Sequence, residues 1–183
     1  KNHTIMNLSQ FEQFDLSPEL LKALEKKGYS RPTAIQMEAI PAAMEERDVL
    51  GSAPTGTGKT AAFLLPALQH LLDYPRRKPG PPRILVLTPT RELAMQVAEQ
   101  AEELAQFTHL NIATITGGVA YQNHGDVFNT NQDLVVATPG RLLQYIKEEN
   151  FDCRSVEMLI FDEADRMLQM GFGQDAEKIA AET

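Results

Sequence analysis

Five stretches of this chain are apolar almost throughout and only as long as a strand: 48–53 (DVLGSA), 83–89 (RILVLTP), 111–117 (NIATITG), 133–138 (DLVVAT) and 156–162 (VEMLIFD). Helical patterns lie among them, at 58–74, 91–107 and 140–149. A strand with no polar side has water on neither face. The alternation therefore predicts an α/β fold, a parallel sheet with helices on both faces. Right-handed crossovers then bring every strand to its end on one edge, where open sheets of this kind bind ligands.

A helical preface precedes the sheet. In LSPELLKALEKKG, Ser17 has the character of an N-cap, Pro18 suits the first helical position and Gly28 marks the stop. A second helix is expected over TAIQMEAIPAAMEE, kinked by Pro41. At 183 residues, 43% hydrophobic and 23% charged, the composition suits one domain or most of one. No repeat or change of composition divides it.

No apolar run reaches the roughly 20 residues needed to cross a bilayer, and the polar start lacks the layout of a signal peptide, so a cytoplasmic setting without membrane contact is expected. Cys153 stands alone, excluding an internal disulfide, and the four histidines show no ligand spacing with it. These five read as structural or surface residues. The net charge of −8 gives no general attraction to nucleic acid, so any polyanion must be held locally. The one basic cluster, YPRRKPGPPR (74–83), reads as a surface loop between a helix and a strand, with an RNA contact as its other reading.

Chemistry concentrates where strands end. After the first strand comes SAPTGTGKT (52–60). Gly56 and Gly58 let backbone N–H groups fold around an anion, Lys59 supplies a charge for the β- and γ-phosphates, and Thr60 offers a hydroxyl to Mg²⁺ at a helix N-terminus. This is a phosphate-binding loop with Ala53 where the general pattern has Gly. At the end of the last apolar run stand Asp162, Glu163 and Asp165. Crowded carboxylates need open water or a cation. Asp162 has the position of a metal-holding carboxylate, and Glu163 can orient and deprotonate an attacking water. A charge cluster favoured by a helix dipole is the plainer reading, but it leaves the pairing with a phosphate loop unexplained.

Thr90 and Arg91 follow one strand, and Thr138, Pro139 and Arg141 another. A Thr-Pro cap leaves N–H groups pointing outward, and the arginines add charge. Gly117 and Gly118 permit close backbone approach. Met167, Leu168, Met170 and Phe172 read as core or inter-helix packing.

Taken together, APTGTGKT (53–60), PTRELA (89–94), GG (117–118), TPGR (138–141) and DEAD (162–165) resemble, in order and spacing, the first RecA-like domain of a DEAD-box RNA helicase. GYSRPTAIQ (28–36) resembles that family's Q motif, with Phe11 at its isolated upstream aromatic. The resemblance implies an ATP- and Mg²⁺-dependent RNA helicase that remodels short duplexes, and among its bacterial members it points to large-ribosomal-subunit assembly. It implies ATP binding by Phe11, Arg31, Gln36 and the loop from Thr55 through Gly56, Thr57, Gly58 and Lys59 to Thr60. Mg²⁺ falls to Thr60 and Asp162, and catalysis to Lys59, Asp162 and Glu163. Single-stranded RNA falls to Pro89, Thr90, Arg91, Gly117, Gly118, Thr138, Pro139, Gly140 and Arg141. Residues 1–46 become the Q-motif region and 47–183 an incomplete RecA-like core, ending before a Ser-Ala-Thr strand expected between the phosphate-loop strand and the acidic strand. A second RecA-like domain would complete hydrolysis, so this segment alone should turn ATP over poorly. Two other readings compete, another P-loop enzyme such as a DNA translocase and a non-catalytic RNA-binding assembly module.

Overall fold

A computed structural model describes residues 16–28, 49–51, 57–78, 80–117 and 132–183. The described elements, in chain order, are α1 (Pro18–Lys26), β1 (Val49–Gly51), α2 (Thr57–Asp73), β2 (Ile84–Leu87), α3 (Arg91–Leu104), β3 (Ile112–Ile115), β4 (Leu134–Ala137), α4 (Pro139–Lys147), β5 (Met158–Asp162), α5 (Ala164–Gln169) and α6 (Gly173–Glu182). The strands form one sheet in the order β1-β5-β2-β4-β3, with every neighbouring pair parallel.

Alternation along the strands divides the core into two layers. Ile84, Val86, Leu134, Val136, Met158 and Ile160 pack with buried residues of α1, α2 and α3. Leu85, Leu87, Val135, Ala137 and Leu159 pack with α4, α5 and α6. Strands β2, β4 and β5 are thus covered on both faces, as expected, whereas β3 at the sheet edge is only partly buried. In α3, Leu93, Ala94, Val97, Ala98, Ala101 and Leu104 recur at helical spacing and are the residues buried.

One expectation changes. Leu168 and Met170 are 66% and 45% exposed, whereas Met167 is buried. A six-residue helix turns only one narrow side to the core, and these two fall off it. Among the described residues β1 and β5 pair directly, Val49 with Ile160 through Gly51 with Asp162. Their backbone N–H and C=O groups must be satisfied, and here each strand supplies the other's partners. The second preface helix, with Pro41, lies outside the described residues.

Ser17 does precede α1 and Pro18 opens it, while Gly28 ends it at φ 79°. The Ser17 hydroxyl does not cap the helix; it accepts from Gln69 Nε2 at 2.8 Å, and Gln69 Oε1 accepts from the Ser17 N–H at 2.6 Å. This pair ties α1 to α2. Cys153 is buried, and burial pushes its thiol up to about 12, so it stays protonated at neutral pH and serves as packing.

At the amino edge of the sheet, Arg83 Nε and Nη2 donate to Glu157 at 2.6 and 3.0 Å, and His70 Nε2 lies 2.5 Å from the same carboxylate. This joins the end of α2 to the starts of β2 and β5. The Arg83 hydrogen bond, with His70 adding to it, holds the Glu157 carboxyl below its ordinary 4.5. A depressed carboxylate stabilises the fold above 4.5 and loses that contribution as pH falls through its folded-state value. Glu157 is 41% exposed, so the effect is under about 1 kcal/mol. The melting-temperature gap between wild type and Glu157→Gln should therefore be present above pH 4.5 and close below it; a gap independent of pH would refute the pairing.

Candidate functional site

Strand register places the motifs. Gly51 stands opposite Asp162, Leu87 opposite both Phe161 and Ala137, and Ala137 opposite Ile115. One step further along each strand gives Asp162, Thr88, Thr138 and Thr116, a row across four strands at the carboxyl edge. All four are buried. The ladder continues into the row, with Thr88 N–H donating to Ala137 O and Thr138 N–H to Ile115 O, both at 3.0 Å. The side-chain alternation puts the row on the face covered by α2 and α3.

At the β1 end of this row, α2 begins at Thr57, so Thr57, Gly58, Lys59 and Thr60 form its first turn. Thr60 is buried. The side chains of Thr57, Gly58 and Lys59 lie outside the described residues, as do Phe11, Arg31, Gln36, Thr55, Gly56 and Gly118 altogether.

Glu163 departs most from ordinary backbone. Its φ of 54° and ψ of 52° are left-handed, a conformation costing a non-glycine residue about 1–3 kcal/mol. Its Oε1 lies 3.9 Å from Arg166 Nη1, while Oε2 is buried without a hydrogen-bond partner among the described residues. Both features oppose folding, so neither explains the residue's presence. The backbone turns the chain sharply out of β5 directly after Asp162, and the carboxylate oxygen is buried unsatisfied. Asp165 is exposed in the first turn of α5, where the dipole favours it.

Toward β3 the other motifs converge. Thr90 caps α3, its hydroxyl accepting from Leu93 N–H at 3.2 Å, with Pro89 buried before it and Arg91 exposed after it. Thr138 precedes α4 but does not cap it through its side chain; its Oγ1 accepts from Gly117 N–H at 3.2 Å. That bond joins the glycine motif to the Thr-Pro turn. Pro139 opens α4 and is buried, and Gly140 is exposed. A Cβ added to Gly117 or Gly140 would meet nothing within 4 Å, so packing inside the protein does not require glycine at either position. Arg141 lies over the Tyr145 ring, 5.9 Å from its centroid.

Sequence reasoning passed over Thr88 and Thr116. Thr88 Oγ1 donates to Thr90 O at 3.2 Å and so shapes the turn that presents Thr90 and Arg91. The available signal was a hydroxyl residue directly after an apolar strand.

Comparison with known proteins accounts for this collection of motifs. The DEAD/DEAH box helicase family matches residues 33–183. The chain belongs to that family. Among DEAD/DEAH box helicases, it is 99% identical over 178 residues to the ATP-dependent RNA helicase SrmB of Haemophilus influenzae, covering 97% of this chain and 40% of that protein. It is 72% identical over 178 residues to Escherichia coli SrmB, again covering 40% of it. A crystal structure of a hypothetical ATP-dependent RNA helicase from Sulfolobus tokodaii superposes with a TM-score of 0.80 at 35% identity, over 92% of this chain and 47% of that one. The α/β RecA-like fold is thereby shared with a helicase. The chain spans about 40% of the length of the two SrmB proteins.

Proposed function

We propose that this chain is the nucleotide-binding and RNA-gripping part of an ATP-dependent RNA helicase that remodels short RNA duplexes. The observation that carries this reading is the edge row, which sets the phosphate-loop strand beside Asp162 and runs on to Thr138.

Phe11 stacks on adenine while the Gln36 amide donates to and accepts from its edge, with Arg31 alongside. Thr55 through Thr60 wrap the phosphates, and Lys59 offsets their charge. Thr60 and Asp162 are the residues that would hold Mg²⁺, which when bound draws charge from the phosphate oxygens. The residues fit such an ion, since both are buried oxygen donors at the end of β5 and the start of α2, and Glu163, next in sequence to Asp162 with a buried unsatisfied oxygen, accepts a proton from an attacking water. The first turns of α3 and α4 after Thr90 and Thr138, the arginines Arg91 and Arg141, and the open space before Gly117 and Gly140 receive an RNA backbone without reading its sequence. A second RecA-like domain of the same protein closes over ATP and RNA, and without it turnover is slow. The setting we infer is the cytoplasm and, from the likeness to SrmB, assembly of the large ribosomal subunit; normal subunit profiles in cells depleted of the protein would remove the assembly role.

Calorimetric titration of the chain with ADP, GDP and AMP, with and without Mg²⁺, tests the nucleotide half. Adenine-selective binding should weaken in Gln36→Ala. Equal affinity for ADP and GDP would overturn the adenine assignment. DNA-stimulated rather than RNA-stimulated turnover in the full-length protein would instead identify a DNA translocase.

A further inference from the structure

A groove of about 570 Å³ opens at the amino edge of the sheet, opposite the edge that carries the motifs. One wall is the 74–83 loop between α2 and β2, and the other is the 154–157 segment leading into β5. The chain as a whole carries −8, yet Arg76, Arg77, Lys78 and Arg83 fall within eight positions, and Arg154 stands across the groove from them.

These five cations divide by what holds them. Arg83 is buried against Glu157 and donates from Nη1 to Tyr74 O at 2.5 Å. Arg76 donates to Gly80 O at 2.6 Å and Pro81 O at 2.7 Å, closing the loop on itself. Those two fix the loop's shape. Arg77 and Lys78 are exposed and form no ion pair among the described residues. The Arg154 side chain is 87% exposed and shares its charge with Asp152 at the surface. Beside them, Tyr74 is 58% exposed, its ring tilted 47° against that of His70 with centroids 5.2 Å apart and the rest of it in water. The acid nearest the groove floor, Glu157, is already matched by Arg83 and His70. Prolines 75, 81 and 82 stiffen the loop, so its cations are presented at little ordering cost.

We propose that this groove is a second contact for single-stranded RNA, with Tyr74 stacking a base and Arg77, Lys78 and Arg154 neutralising neighbouring phosphates. Such a site needs no sequence, because every base has a face to stack and every nucleotide a phosphate. On an acidic protein, a local positive focus is also what draws a polyanion to one place. The inference rests on the reading that the carboxyl edge grips RNA. The two contacts lie at opposite ends of the strands. Only an RNA longer than the carboxyl-edge site reaches both, so the groove acts as a tether for long substrates.

The test uses the full-length protein carrying this chain and two labelled oligoribonucleotides, of about 6 and about 25 nucleotides, titrated by anisotropy at several salt concentrations. Combined Tyr74→Ala, Arg77→Gln, Lys78→Gln and Arg154→Gln should weaken the long RNA roughly 10-fold and lower its salt slope by about 2, leaving the short RNA unchanged. All four positions are exposed, and an unchanged thermal melt verifies folding. Unaltered binding of the long RNA, or equal loss for both lengths, overturns the tether. If the wild type binds neither RNA, the carboxyl-edge reading falls first and the tether with it.

Discussion

Glu163→Gln in the full-length protein is expected to cut RNA-stimulated ATP turnover at least about 100-fold while nucleotide affinity stays within a factor of about 3. The amide keeps the size and hydrogen-bonding shape of the carboxylate but cannot accept the proton of the attacking water. On the proposed reading, nucleotide binding rests on the phosphate loop and Asp162, which this change leaves alone. Glu163→Gly separates the backbone from the chemistry. At φ 54° glycine carries no left-handed penalty, so this variant should match or exceed wild-type stability, by up to about 1 kcal/mol, and be equally inactive. Steady-state turnover, nucleotide titration and chemical denaturation read the three quantities. Wild-type turnover in the glutamine variant would remove Glu163 from the reaction.

The second large effect concerns stability. Tyr145→Ala should cost about 3–5 kcal/mol, because Tyr145 is the largest fully buried side chain and packs among Leu142, Phe151 and Cys153 in the layer beneath α4. Tyr145→Phe keeps the ring and should cost less than the alanine change, the hydroxyl's contact with Arg141 being long at 3.4 Å. The alanine variant also removes the ring over which Arg141 lies, so RNA affinity should fall with stability. Urea unfolding of the three proteins compares them directly. An alanine variant within about 1 kcal/mol of wild type would show that the layer repacks around the gap.

These effects come from different levels of organisation, and they differ in how far the sequence foretells them. Tyr145 falls within a helical pattern legible from spacing, and its burial follows once β4 and β5 are apolar on both faces. The catalytic claim for Glu163 follows from a carboxylate pair after an apolar strand. Its left-handed backbone and unsatisfied oxygen do not follow, because both depend on how β5 leaves the sheet. The Ser17 hydroxyl illustrates the same limit: its place before Pro18 suggests a cap, but Gln69, 52 positions away, takes it.

The five strands and the helices among them are readable without coordinates, because spacing along the chain reports a residue's neighbours within a turn or a pleat, whereas the cap expected at Thr138 is not made by its side chain and Thr90 makes one instead. The resemblance carried by the motifs then supplied the family. Strand order was not readable in that way. Gly51 and Asp162 stand more than a hundred positions apart, and only pairing between β1 and β5 sets them side by side. Thr88, Thr116 and Thr138 likewise become one row only through register, and Leu168 and Met170 are exposed only because α5 is short and offers the core a single narrow side. Local sequence specifies each element and the chemistry at its end; contacts between distant segments decide which ends meet.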